Sequence, residues 1–327
     1  MKILEIENLH TYFTTKRGVI KAANGVSLYI EEGKTLGLVG ESGSGKSVTA
    51  MSIIKLFEEN QKIHEGKIVF DGEVISELSQ AELRKIRGNK ISVIFQEPMT
   101  SLNPVFKVGR QISEVLMLHQ NMTKKQARKK SIELLADVGI SNPENIVDVY
   151  SFQLSGGMSQ RVMIAMALAC KPKLLIADEP TTALDVTIQA QILKLMKELK
   201  EKTKTAILFV THDLGVINEM ADDVAVMYCG QVIEFASSKT LFNEDTKFMH
   251  PYTEGLLTSV PRLDSPKGRL DAIPGSVPHP LNLPEGCKFE PRCKYATARC
   301  KEKVEMFEVE PNHFARCIHP RRDARDD

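Results

Sequence analysis

Apolar and polar residues follow two different patterns along this chain. Residues 174–177 and 206–210 are apolar throughout, which predicts strands covered on both faces, as in a parallel α/β sheet. Residues 3–7 and 26–30 alternate instead, which predicts a half-exposed antiparallel layer. The pattern therefore predicts an α/β fold with a parallel sheet beside an antiparallel layer.

A helical period replaces these strand patterns between about residues 99 and 155. The first predicted helix has four apolar residues on one face: Ile112, Val115, Leu116 and Leu118. A second helix is predicted to begin at Thr123, with Gln126 as its capping-box partner, and to end near Gly139. We therefore expect a helical subdomain inserted into the α/β layer.

Composition and charge restrict the class of protein. The chain has 327 residues, 42% of them hydrophobic, and 43 basic against 42 acidic side chains give a net charge of +1. This balance argues against a protein whose main task is to neutralise nucleic-acid phosphates. The longest apolar run, residues 162–170, is far shorter than the roughly 20 residues of a membrane span, and Met1 starts no secretory signal. We expect a cytoplasmic chain, at most peripheral to a membrane.

The last quarter of the chain differs in composition from the rest. Ten of the fifteen prolines and four of the six cysteines follow residue 250. We therefore predict an α/β domain over residues 1–245 and a small, irregular, cysteine-rich extension over residues 246–327.

A glycine-rich loop links a predicted strand, residues 35–39, to a predicted helix with apolar residues from Val48 to Leu56. The pattern G-x-x-x-x-G-K-S in this context is typical of a loop whose N–H groups cradle phosphates. Lys46 would reach the β- and γ-phosphates, and Ser47 would bind Mg²⁺. The alternative is an ordinary glycine-serine turn. The predicted nucleotide contacts are Gly40, Ser42, Gly43, Ser44, Gly45, Lys46, Ser47 and Val48.

Two carboxylates, Asp178 and Glu179, end the apolar strand at residues 174–177. Ligands of α/β folds collect at this edge of the sheet. Asp178 would hold Mg²⁺ through water, and Glu179 would act as the general base on the attacking water. Taken alone, such a pair is more often a turn that leads into a helix cap.

Further motifs carry a family resemblance over about residues 1–240. Residues 154–160, Leu-Ser-Gly-Gly-Met-Ser-Gln, resemble the signature motif of ATP-binding-cassette (ABC) ATPases. The remaining hallmarks follow in the order of that family: Phe13, or alternatively Tyr12, as the ring on adenine, Gln96 as the Q-loop, Ala183–Asp185 as the D-loop, and His212 as the switch histidine. Singly, each has an ordinary explanation as a core ring, a strand-end amide, a helix cap or a loop histidine.

The resemblance implies a RecA-like parallel sheet and a site for ATP and Mg²⁺. Glu179, His212 and Gln96 would be catalytic, with Gln96 also a magnesium ligand. The helix that begins at Ser155, Gly156 and Gly157 would meet the γ-phosphate held by the opposite subunit of a dimer, with Asp185 also near nucleotide. Because every nucleotide residue precedes the extension, we expect ATP binding to be independent of it.

The four cysteines of the extension are Cys287, Cys293, Cys300 and Cys317, and their spacing does not match zinc knuckles. Four thiolates suit a soft metal, and a cytosol disfavours structural disulfides. Residues 250–257, 273–275 and 286–293, with residues 99–104, resemble the oligopeptide/dipeptide branch of ABC importers. That branch implies a [4Fe–4S] cluster on these cysteines. Zinc, or cysteines without a metal, are the alternatives.

The function that this resemblance implies is hydrolysis of ATP to energise peptide import. The expected partners are a second, different ATPase subunit, two membrane permeases and an extracytoplasmic peptide-binding protein, with no nucleic acid. The expected location is the cytoplasmic face of the cell membrane, as a peripheral subunit. Three alternatives stay open: a nickel-chelate importer, a soluble ABC ATPase that does not transport, and a cluster-bearing regulator.

Overall fold

The computed structural model describes residues 1–182, 184–259 and 273–322. The chain forms two compact units. The first consists of Met1–Ile3, Ile30–Lys34 and Glu77–Leu208, and the second of Leu4–Tyr29, Thr35–Ser76 and Phe209–Asp327. The predicted division at residue 245 stays a prediction.

Both units contain strands and helices. The strands are β1 (Lys2–Thr15), β2 (Gly18–Glu31), β3 (Thr35–Val39), β4 (Gln61–Phe70), β5 (Glu73–Val74), β6 (Ile91–Ile94), β7 (Leu174–Asp178), β8 (Ala206–Thr211), β9 (Asp223–Tyr228), β10 (Gln231–Ser237), β11 (Phe307–Glu310) and β12 (His313–Ala315). The α-helices are α1 (Lys46–Ile53), α2 (Gln80–Ile86), α3 (Pro98–Ser101), α4 (Val108–Gln120), α5 (Lys124–Asp137), α6 (Pro143–Ile146), α7 (Gly156–Ala167), α8 (Val186–Thr203), α9 (Leu214–Met220), α10 (Ser238–Leu241) and α11 (Pro251–Thr258). Short 3-10 helices span Ser151–Gln153, Glu290–Arg292 and Ala298–Lys301.

The first unit combines parallel strands with a helical region. β6 and β7 run parallel, with Ile91 opposite Leu174, and every residue of β7 is buried. The continuously apolar segment at residues 174–177 is therefore a buried parallel strand, as predicted. Helix α4 packs against α5, and both contact α7.

In the helical region, the predicted cap of α5 is confirmed, whereas the predicted apolar face of α4 is partly wrong. Thr123 caps α5, and Gln126 completes the capping box by accepting a hydrogen bond from the Thr123 N–H. In α4, Ile112 and Leu116 are fully buried, but Leu118 is 71% exposed. The prediction that Leu118 shares their face is wrong, because a residue two positions from Leu116 lies on another side of a helix.

The second unit contains a mixed sheet in the strand order β11-β12-β10-β9-β3. β3 and β9 run parallel, whereas β10 is antiparallel to both β9 and β12. β3 matches its predicted bounds and is buried throughout. Helix α1 ends at Ile53, earlier than predicted, and Leu56 lies beyond it with 46% of its surface exposed.

The predicted antiparallel layer has the strand order β2-β1-β4-β5, mostly within the second unit. β1 pairs with β4 so that Leu4 lies opposite Phe70 and Phe13 opposite Gln61. Burial alternates over residues 26–30 of β2, as predicted. In β1, the neighbours Ile3 and Leu4 are both buried, so the predicted alternation over residues 3–7 is not strict.

The C-terminal region contributes regular structure to the second unit. β12 pairs with β10, with Phe314 opposite Phe235. The expectation of a wholly irregular extension is therefore corrected, because β11, β12 and α11 follow residue 245. Among the described residues, no helix combines the length and the apolar character needed to cross a membrane.

Candidate functional site

The phosphate loop, residues 40–47, joins β3 to α1 in the second unit. Gly40 has a φ of 151° and Gly45 a φ of 98°. A Cβ atom on Gly40 would lie 2.2 Å from the carbonyl oxygen of Met227, and one on Gly45 would lie 2.1 Å from that of Ala22. Both contacts are far shorter than atoms allow, so glycine alone fits these positions. The loop therefore packs directly on neighbouring backbone.

Lys46 lies at the start of α1 and is only 5% exposed. Its Nζ donates to the carbonyl oxygens of Gly40, at 2.8 Å, and Glu41, at 3.0 Å. These contacts hold the ammonium group across the loop. A helix N-terminus and an ammonium group together favour a bound phosphate. The local geometry thus agrees with the role predicted for Lys46.

Glu41, the second residue of the phosphate loop, is bound to the C-terminal region. Its backbone N–H donates to the hydroxyl of Tyr252 at 2.8 Å. Its carboxylate accepts two hydrogen bonds from Arg292, 2.7 Å from Nη1 to Oε2 and 3.1 Å from Nη2 to Oε1. The phosphate loop and the extension are therefore in direct contact within one unit. This contact was not predicted from the sequence, from which we expected ATP binding to be independent of the extension.

Arg292 is held on several sides. Its side chain is 4% exposed, its Nε donates to the carbonyl oxygen of Pro274 at 3.0 Å, and its Nη1 lies 3.3 Å from the hydroxyl of Tyr228. The hydrogen-bonded Glu41 carboxylate raises the pKa of Arg292 above its ordinary value. Arg292 therefore carries its charge at any physiological pH.

Three aromatic rings support this contact. The ring centroids of Tyr228 and Tyr252 are 4.6 Å apart, and each lies 5.4 Å from that of Phe289. Burial raises the pKa of Tyr228 to about 12 and raises that of Tyr252 as well. Both hydroxyls therefore stay protonated and act as neutral hydrogen-bond groups.

The predicted general base, Glu179, follows β7 in the first unit. Its φ of 46° is unusual for a residue other than glycine, and such strain is typical of functional positions. Its Oε2 accepts a hydrogen bond from Gln96 Nε2 at 3.1 Å and another from Thr182 Oγ1 at 2.8 Å. The structure thus brings together two predicted catalytic residues, Glu179 and Gln96.

The signature motif forms the start of α7, also in the first unit. Ser155 is the N-cap, and its hydroxyl accepts from the Met158 N–H at 3.3 Å. Gly156 and Gly157 occupy the first helical positions, which leaves their N–H groups without partners inside the helix. Gln160 Nε2 donates to the Pro180 carbonyl at 2.6 Å. This bond connects the signature helix to the loop that follows Glu179.

Several other predicted residues lie at the ends of strands or helices. Asp178 is 8% exposed at the end of β7, and Asp185 caps α8 by accepting from the Ile188 N–H at 3.0 Å. Ala183 of the predicted D-loop lies outside the described residues. His212, directly after β8, is exposed. Asp185 is thus a helix cap, the ordinary explanation for this residue, and its predicted place near nucleotide stays a prediction.

The two candidates for the adenine ring are adjacent on β1. Tyr12 packs against His64 with ring centroids 4.6 Å apart and the planes tilted by 35°, and its hydroxyl donates to Asn24 Oδ1 at 3.0 Å. Phe13 is half-buried, opposite Gln61 on β4. The assignment of either ring to adenine stays a prediction.

The four cysteines of the extension line one pocket. The other residues that line it are His250, Pro251, Phe289, Glu290, Val304, Ile318 and His319. All six cysteines of the chain are thiols. In the described part of the chain, no three His, Cys, Asp or Glu side chains form a group that could hold a metal ion. The iron–sulfur site therefore stays a prediction.

Sequence reasoning missed several residues of the site. Glu41, Arg292 and Gln160 lay inside recognised motifs, but no role was assigned to them. Thr182 was only a neighbour of the Asp178–Glu179 pair. The signal that distinguishes Arg292, next to Cys293, is its burial, and burial cannot be read from the sequence. Tyr252 was noticed only as part of a motif of the C-terminal region.

Comparison with protein families identifies two matching regions. The family described as ABC transporter matches residues 23–182. The family described as oligopeptide/dipeptide transporter, C-terminal region, matches residues 233–300.

Individual relatives match almost the whole chain. The oligopeptide transport ATP-binding protein AppD of Bacillus subtilis (strain 168) is 56% identical over 299 residues, which cover 91% of this chain and 90% of AppD. The oligopeptide transport ATP-binding protein OppD of Escherichia coli (strain K12) is 46% identical over 318 residues, covering 97% of this chain and 93% of OppD.

A solved structure with a similar fold is the ATP-binding cassette MJ0796, a dimer in a post-hydrolysis state bound to ADP and phosphate. It aligns with a TM-score of 0.65 and 30% identity, covering 72% of this chain and 98% of that one.

Proposed function

The chain belongs to the ABC transporter family, in its oligopeptide/dipeptide branch, and on this premise we propose that it hydrolyses ATP to energise the import of dipeptides or oligopeptides. The observation that carries the proposal is the Glu179 carboxylate, held by Gln96 and Thr182 at the end of a buried strand. A fixed carboxylate at this position suits a base that orients the attacking water.

The other predicted residues have separate roles in this proposal. Lys46 and the phosphate-loop N–H groups would bind the phosphates, Ser47 and Gln96 would hold Mg²⁺, and Asp178 would hold it through water. When bound, Mg²⁺ would neutralise the charge that develops on the phosphates. His212 completes the catalytic set, and the N-terminus of α7 acts on nucleotide bound by a second subunit.

Partners follow from the proposed function. The chain works with a second ATPase subunit of different sequence, two membrane permeases and an extracytoplasmic peptide-binding protein. We propose that it is a peripheral subunit at the cytoplasmic face of the membrane and that it has no nucleic-acid partner.

The test of the proposed base is Glu179→Gln in the assembled transporter in liposomes. The amide keeps the size of the side chain but cannot accept a proton, so the ATPase rate should fall by at least about 100-fold, while the purified chain still binds ATP. The matched control is Glu198→Gln, an exposed glutamate on α8 whose contact with Lys194 is 4.0 Å long. A Glu179→Gln rate near that of the control would refute the role of Glu179.

We propose further that Cys287, Cys293, Cys300 and Cys317 hold a [4Fe–4S] cluster. Their location around one pocket supports this proposal. A cluster binds each of its four thiolates through a different iron. Burial raises the pKa of Cys287, so binding would release its proton.

Analysis of protein purified without oxygen tests the cluster. We expect about four irons and four sulfides per chain, with iron lost on Cys287→Ser and retained on Cys229→Ser, the matched control outside the pocket. Stoichiometric zinc without iron would end this proposal.

A further inference from the structure

Glu41 is fixed at three points of its structure. Its N–H is bound by Tyr252, its carbonyl oxygen by Lys46 and its carboxylate by Arg292. Tyr252 and Arg292 lie 211 and 251 residues further along the chain. We propose that the C-terminal region is a positioning element of the phosphate loop, in which Tyr252 and Arg292 hold Glu41 and thereby set the affinity for ATP. This inference rests on the proposed function.

The Tyr252 contact fixes the direction of one amide. The Glu41 N–H and the Gly40 carbonyl belong to one planar trans peptide and point in opposite directions. The Tyr252 hydroxyl that accepts from this N–H therefore also orients the Gly40 carbonyl, which accepts from Lys46 Nζ at 2.8 Å. Loss of the hydroxyl would free this peptide to rotate and would loosen the ammonium group that binds the phosphates. Tyr252 therefore acts on the nucleotide through Glu41 and Lys46.

The Arg292 contact also solves a problem of charge. A carboxylate within a phosphate loop repels a bound triphosphate. The two-bond contact with the guanidinium of Arg292 neutralises that carboxylate. Because the Arg292 side chain is 4% exposed, solvent screens this pair less than a surface pair. Without Arg292, Glu41 would present an uncompensated negative charge to ATP.

Both contacts come from a support that is itself well anchored. Arg292 is bound to the Pro274 carbonyl and the Tyr228 hydroxyl, and the ring of Tyr252 packs on Tyr228 and Phe289. A binding loop held by a packed support loses less entropy when the ligand binds. The arrangement therefore favours a preorganised loop.

Removal of a single hydroxyl tests the positioning role with little disturbance. The variant Tyr252→Phe keeps the ring and its packing. Titration calorimetry of MgATP on the full-length purified chain should show about fivefold weaker binding, as expected for one lost hydrogen bond. The matched control Tyr295→Phe removes a hydroxyl from the same region and should change the dissociation constant by less than twofold.

A charge variant tests neutralisation and includes a rescue. Arg292→Gln should weaken MgATP binding at least tenfold at low ionic strength, and by less at high salt, because the exposed carboxylate is then screened. The second change Glu41→Gln, made together with it, should restore most of the affinity. The control Arg299→Gln, an exposed arginine of the same region, should have no effect. In the assembled transporter, KM for ATP should rise while kcat changes little.

Two results separate this inference from the proposed function. If the wild-type chain failed to bind or hydrolyse ATP, the proposed function would fall and this inference with it. If the wild type bound ATP and Tyr252→Phe, folded by circular dichroism, bound it within twofold of wild type, the positioning role would be overturned. Tyr252→Phe decides the question even if Arg292→Gln does not fold.

Discussion

A buried glutamate on β10 anchors the C-terminal region to the second unit. Glu234 is 0% exposed. One of its oxygens accepts the backbone N–H of His250 at 3.0 Å, and the other lies 2.8 Å from Nε2 of His313. His250 caps α11, and His313 is the first residue of β12. This one carboxylate therefore ties α11 and β12 to β10.

The variant Glu234→Gln should weaken this anchor while it preserves side-chain size. A carboxylate accepts from both the His250 N–H and a protonated His313 Nε2, whereas an amide offers one acceptor and turns its NH₂ group toward His313. The imidazole proton must then move to Nδ1, a buried nitrogen that has no hydrogen-bond partner among the described residues. A buried donor without a partner costs about 1–3 kcal/mol. At about 1.4 kcal/mol per tenfold, that cost corresponds to a roughly 5- to 150-fold increase in opening of the anchored segment.

Hydrogen–deuterium exchange with mass spectrometry measures this opening segment by segment. Peptides that cover β12 and the start of α11 should exchange faster by about this factor in Glu234→Gln. Peptides from β3 should not change. The matched control is Glu310→Gln, because Glu310 also faces His313, at 3.8 Å, but is 36% exposed.

The control should change exchange by less than twofold, because water can solvate its amide. If β12 were equally protected in Glu234→Gln and in wild type, the buried carboxylate would not anchor the region. If Glu310→Gln had the same effect as Glu234→Gln, burial would not be the reason for the loss.

Three further outcomes are expected. Ser155→Arg should abolish turnover by the assembled transporter but spare ATP binding by the isolated chain in titration calorimetry; lost affinity there would contradict action across a dimer. Gly45→Ala should abolish ATP binding, because its Cβ would lie 2.1 Å from Ala22 O, and should exceed the effect of Gly43→Ala, whose Cβ meets nothing within 4 Å; equal effects would refute the clash. Burial raises the pKa of Cys229 to about 11, so at pH 8 only roughly a thousandth is thiolate and iodoacetamide should modify it more slowly than the half-buried Cys170; equally rapid modification of both in the native protein would contradict this.

Elements that depend only on residues close together in the sequence could be predicted from it. The strand Thr35–Val39 was predicted because a strand buried on both faces needs apolar residues at successive positions. The glycines of the phosphate loop were predicted because a positive φ favours glycine. The cap at Thr123 was predicted because its partner, Gln126, is three residues away.

Helix faces and helix ends were less predictable. Leu118 is apolar yet exposed, and Leu56 lies beyond the end of α1. Hydrophobic residues do occur on surfaces, so an apolar side chain alone does not establish which face is covered. Packing partners decide that, and they come from distant parts of the chain.

The sequence by itself determined the α/β class, the phosphate loop and the order of the family motifs, because each depends on residues within one strand, loop or helix. Only the tertiary structure decided that Glu41 meets Arg292 and Tyr252 and that Glu234 meets His250 and His313. These contacts join residues that are 16 to 251 positions apart. No local pattern records such a pairing, because it depends on the folded path of the chain and on the loss of solvent from charged groups once they are buried.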